Sequence, residues 1–161
     1  MRLFSFTFMF AAALAARAAD SSTVFPIKIG RPAQPAEVAI FWGADSPKSI
    51  SVNDDKGKLL QNIDPSGDWT NLGSESDRTR KDIVLSVDAN FDGFPDLLIE
   101  ASNGTAGRLF KMFKYDVKTK IFESCTDLDK IWNPKFDEKR KVITGGPSDM
   151  KPKTYYWKNN S

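Results

Sequence analysis

The sequence contains no histidine and a single cysteine, Cys125, in 161 residues. Without histidine there is no imidazole acid–base chemistry, no Ser-His-Asp or Cys-His nucleophile and no His-ligated zinc. With one cysteine there is no disulfide within the chain, so an exported form of the protein needs another staple. Cys125 has no base to activate it; it is either a small buried apolar side chain or a thiol open to another chain. No Gly-x-Ser-x-Gly elbow, phosphate-binding loop or dinucleotide fingerprint occurs. The catalysis that these absences leave open runs on carboxylates alone, as in glycoside hydrolysis.

Long apolar runs are missing too, except at the N-terminus. There Arg2 precedes an apolar stretch from Leu3 to Leu14, followed by small residues at Ala16, Ala18 and Ala19. A basic start, a short apolar segment and a small-residue cleavage site are the marks of a secretory signal. The stretch is too short to span a bilayer, which takes about 20 residues. Residues 1–19 are therefore expected to be a signal peptide, and the mature protein is expected in the periplasm or secreted. Its removal takes Arg2 and Arg17 from the 23 basic residues, leaving 21 against 21 acidic ones. A balanced charge exerts no long-range pull on nucleic acid or on a membrane surface.

The rest reads as strands and turns. Residues 20–35 look like an extended leader in which Val24–Ile29 is compatible with an edge strand, because Pro26 lacks an N–H and is tolerated only at an edge or a strand start. Residues 36–161 look like one β domain. Glu37–Trp42, Ser49–Val52 and Lys58–Ile63 are strand-like, and Asn53–Gly57 supplies the turn of a hairpin. Leu109–Tyr115 alternates, Phe136–Ile143 reads as a small hairpin, and Thr154–Trp157 reads as a final strand. The fold class expected is all-β: an antiparallel meander of about eight to ten strands, propeller-blade-like or a sandwich. One short helical turn is expected near 126–132, ahead of Pro134.

The densest chemistry lies in Asp88-Ala89-Asn90-Phe91-Asp92-Gly93-Phe94-Pro95-Asp96. Side-chain oxygens stand at its first, third, fifth and ninth positions, with a glycine at the sixth. Hard cations such as Ca²⁺ collect six to eight oxygens at roughly 2.3–2.6 Å, and the glycine permits the sharp turn that wraps them. The loop starts like an EF-hand but does not end like one, since Ile99 stands where the bidentate Glu belongs and Glu100 is out of step. Its flanks, Ile83–Val87 and Leu97–Ile99, are strand-like and not helical. The run resembles the calcium loop of FG-GAP and VCBS-type blades of integrin-like propellers. That resemblance implies a Ca²⁺ cofactor held by the side chains of Asp88, Asn90, Asp92 and Asp96 and by the carbonyl of Phe94.

The segment from Phe113 to Ile143, with Tyr115-Asp116-Val117-Lys118-Thr119 and Asn133-Pro134-Lys135-Phe136-Asp137, is similar to a group of exported bacterial proteins. Some of these resemble periplasmic inhibitors of lysozyme-like cell-wall hydrolases. The resemblance implies a protein partner, engaged through a Ser-Gly-x-x-Tyr loop. Ser66, Gly67 and Trp69 stand in that place, with Trp in the position of the Tyr. An alternative is a carbohydrate- or peptidoglycan-binding module using Trp69 and Trp42, and a third is a carboxylate-only glycan-cleaving enzyme.

Overall fold

The computed structural model describes residues 21–43, 46–65, 69 and 79–157; the expected signal peptide and Ser66 and Gly67 lie outside the described residues. Among the described residues eleven strands run in chain order, slightly more than expected. They are β1 (Ser21–Ile29), β2 (Gln34–Trp42), β3 (Pro47–Asp54), β4 (Leu59–Ile63), β5 (Val84–Val87), β6 (Asp96–Gly104), β7 (Gly107–Asp116), β8 (Ile121–Cys125), β9 (Lys135–Asp137), β10 (Val142–Gly145) and β11 (Lys153–Tyr156). A 3₁₀ turn, Thr126–Leu128, stands where the short helical turn is expected. Every pairing is antiparallel between neighbours, giving sheets β1-β2-β3-β4, β5-β6-β7-β8 and β9-β10-β11. None closes into a barrel.

The leader belongs to the fold. Residues 21–29 pair along their whole length with residues 34–42, and β1 is the edge of its sheet, the position that Pro26 requires. β2 alternates, with Ala36, Val38, Ile40 and Trp42 turned inward. The hairpin expected at 53–57 is present. Asp54 Oδ1 accepts the N–H groups of Lys56 and Lys58, both at 2.9 Å, and closes an Asx turn.

β6 does not alternate, and its burial explains why. Leu97 and Ile99 face the first core, with Phe25, Ile40, Ile50, Phe113 and Tyr115, while Leu98 faces a second core with Phe110, Met112, Leu128 and Ile143. A strand covered on both faces reads as a continuous apolar run. The middle sheet thus lies between the other two. The first two sheets stack in parallel order, β1 against β5 and β4 against β8. One side-chain clamp fixes each edge. Ser86 Oγ donates to the Lys28 carbonyl at 2.7 Å. Gln61 donates to the Phe122 carbonyl at 2.7 Å and accepts its N–H at 2.8 Å. On the far face of the first sheet β3 presents Ser49, Ser51 and Asn53, polar residues that a further layer would have to desolvate.

Asn133 joins the middle and third sheets. Its backbone has φ 49°, its Oδ1 accepts the Arg108 N–H, and its Nδ2 donates to the carbonyls of Ala106 and Gly146. Gly107 makes room for it: a Cβ there would lie 2.1 Å from Asn133 Nδ2.

Two-sided burial of β6 predicts a strong asymmetry between core and face. Leu98→Ala is expected to lower unfolding free energy by about 2–5 kcal/mol in urea titration, and Ser51→Ala by less than about 0.5 kcal/mol. Equal losses would contradict the three-layer arrangement.

Candidate metal centre

The loop between β5 and β6 is built on its own oxygen atoms. Asp88 accepts the N–H of Asp92 at Oδ1 (3.0 Å) and of Gly93 at Oδ2 (2.8 Å), folding the chain back on its first residue. Asn90 Oδ1 accepts the Asp92 N–H at 3.0 Å, and Asn90 Nδ2 donates to Asp92 Oδ2 at 2.8 Å. Asp92 Oδ1 takes the Phe94 N–H at 2.9 Å. The wrap requires two left-handed residues, Phe91 (φ 61°) and Gly93 (φ 93°). Glycine takes that conformation freely, whereas Phe91 is strained and is held by burial in the second core. Phe94 packs on the other side, against the first core, with its ring stacked on Tyr115. One aromatic on each face pins the loop to the end of the middle sheet.

Asp96 has a different task. It is 1% exposed and both its oxygens are engaged by backbone. Oδ2 accepts from Ala89 (3.1 Å) and Asn90 (3.3 Å), and Oδ1 accepts from Tyr115 (3.0 Å). Burial pushes its carboxyl up to about 6, with the nearby Asp92 charge adding to it and the N–H donors opposing. In a metal-free loop, stability from this group is therefore lost as pH rises through about 6.

The structure thus brings Asp88, Asn90 and Asp92 together and turns Asp96 toward backbone. Among the described residues, no three Asp, Glu or Cys side chains form a ready-made ion cage. The donor set is all oxygen, without nitrogen or sulfur, which suits Ca²⁺ or Mg²⁺ over zinc. No ion pair among the described residues engages Asp88, Asp92 or Asp96. Cationic groups stand at the rim of the loop: Arg31 lies against Gly93, Lys141 Nζ donates to the Phe91 carbonyl at 3.3 Å, and Lys114 and Lys118 line a surface depression together with Asp92. The residues fit a hard cation in donor type and in the convergence of the first three side chains. Asp88, Asn90 and Asp92 would hold it, with Asp96 Oδ1 retaining one lone pair beyond its bond to Tyr115.

Comparison with family models, with curated proteins and with solved structures finds no match. The likeness of the loop to calcium blades accordingly rests on its nine residues.

Two expected contact residues lie elsewhere. Trp69 is 7% exposed and belongs to the first core, with Lys111 Nζ 5.5 Å above its ring, so it is no exposed anchor of a docking loop. Trp42 is likewise buried, its Nε1 donating to Thr23 Oγ1 at 3.1 Å. Both indoles are drawn inward by their apolar area, and neither offers a sugar a face to stack on. Cys125 is half-buried beside the second core, and burial pushes its thiol up, away from reactivity.

Sequence reasoning missed a second buried acid. Glu100 is fully buried on β6. Arg80 Nη2 lies 2.5 Å from its Oε1, and Arg108 grips Oε2 through Nε and Nη2. Arg108 also reaches Asp82 at 2.7 Å and covers the Phe110 ring. Burial raises the Glu100 carboxyl, and the guanidinium charges pull it back. An acid following Leu97-Leu98-Ile99 was the available signal, because a buried charge needs a partner. Glu100→Gln strands two guanidiniums that keep partial contact with water. It is expected to cost about 2–3 kcal/mol in urea titration, at or below the lower end for a broken buried pair. A neutral effect would mean that the network contributes no net stability.

Proposed function

We propose that this chain is an exported β domain that binds a calcium ion in the Asp88–Asp96 loop and acts by binding and not by catalysis. The observation that carries the reading is the convergence of Asp88, Asn90 and Asp92 in one wrapped, oxygen-only loop whose carboxylates have no ion-pair partner among the described residues. A divalent cation there would offset the converging carboxylates of Asp88 and Asp92 directly and staple β5 to β6. The chain has no internal disulfide to do this. Export follows from the N-terminal segment. No helix among the described residues is long and apolar enough to cross a membrane.

A non-catalytic role is supported by the lack of histidine and by the engagement of both buried acids on β6, one with backbone N–H groups and one with arginines. Neither is placed as a free proton donor. Inhibition of a cell-wall hydrolase through residues 66–69 loses its anchor with Trp69 in the core, and a glycan platform on Trp42 and Trp69 loses both rings.

Calcium linkage predicts stabilisation of RT ln(1 + [Ca²⁺]/Kd), about 2.7 kcal/mol at a hundredfold excess over Kd. The thermal midpoint is expected to rise between EDTA and millimolar Ca²⁺ in the wild type and to stay fixed in Asp92→Ala. An unchanged wild-type midpoint would reduce the loop to an Asx-rich turn.

A further inference from the structure

The second core is open at one end. There the 3₁₀ turn, β10 and β11 leave a cleft of about 320 Å³, within the range of small-ligand sites. Its floor is apolar, formed by the buried Leu128, Ile131 and Ile143. Half-buried Tyr155 and Trp157 line it, two residues apart on and just beyond β11, so that their rings share one face of the strand. Asp127 stands exposed at the rim, and among the described residues no Lys or Arg lines the cleft.

The polar complement selects the occupant. Asp127 makes no ion pair among the described residues; its neighbour is the weakly donating Cys125 thiol at 3.6 Å. An anion entering the cleft would face this carboxylate. A neutral guest would gain nothing from it. A cation offsets it and is attracted by the negative faces of the two rings as well.

We propose that this cleft binds an organic ammonium group on a short apolar stem, with the cation against Tyr155 and Trp157, Asp127 as its counter-charge and the stem on the aliphatic floor. The site is separate from the calcium loop and does not rest on that reading. A free quaternary amine and the side chain of a lysine in a peptide share this chemistry.

The test is a titration of the purified protein followed by amide resonances in ¹H–¹⁵N spectra. The probes are choline, N-acetyl-lysinamide, glucose and the uncharged tert-butyl analogue of choline. Saturable shifts centred on Tyr155 and Trp157 are expected for at least one amine. The uncharged analogue should bind at least about tenfold more weakly, and Asp127→Asn should cost the amine about tenfold, a difference of about 1.4 kcal/mol. Saturation by choline assigns a free amine, and saturation by the lysine amide alone assigns a lysine side chain. Trp157→Leu, whose spectrum reports directly whether β10 and β11 are intact, should abolish the shifts. Equal binding of the uncharged analogue, saturation by glucose, or an indifferent Asp127→Asn would overturn the proposal. So would the absence of shifts with both amines at tens of millimolar.

Discussion

The Asp96 carboxylate is the constraint on which the rest of the structure leans. It opens β6, the strand that is covered on both faces, and fastens three backbone N–H groups drawn from the preceding loop and from β7. Those donors would otherwise be buried without partners, each at a cost of about 1–3 kcal/mol. With Asp96 in place, the loop is set against the end of the sheet before any ion arrives. Its side chains at Asp88, Asn90 and Asp92 are then free to face inward and hold the loop's own amides.

Two acids are buried on β6, and they are satisfied by opposite means. Asp96 receives neutral N–H dipoles, which do not fully offset burial, and its carboxyl rises to about 6. Glu100 receives two guanidiniums, and through Arg108 it ties the middle sheet to Asp82 in the segment leading into β5. One acid shapes a site and the other fixes the layer. Both depend on the strand lying between two cores, where the low polarity of the surroundings raises the stakes of every polar contact.

Much of this was legible in the residues. Turn chemistry at Asp54, the strand character of Glu37–Trp42 and the edge position that suits Pro26 all carry local signals, and each is found in its expected place. The division into three sheets was not legible, because it depends on which meander stacks on which. The clamps that decide it, Ser86 with Lys28 and Gln61 with Phe122, join residues about sixty positions apart. Asn133 was visible only as part of the segment that carries the family resemblance; its role as the joint between two sheets needs Gly107 brought against it. The two indoles that a docking loop or a glycan platform would need at the surface are in the core. At the loop, the residue pattern identified the oxygen donors. It did not separate Asp96, whose oxygens are committed to backbone, from the three side chains that converge.

The central claim is that Asp96 preorganises an oxygen-lined loop that a divalent cation then completes. Amide resonances followed through a calcium titration from EDTA test it most directly. The account predicts saturable shifts confined to Asn90, Asp92, Gly93 and the Asn90 side chain, with Ala89 and Tyr115, already held by Asp96, protected from exchange before and after. Ala89 and Tyr115 exchanging freely in EDTA, or resonances unmoved by calcium throughout the loop, would contradict it.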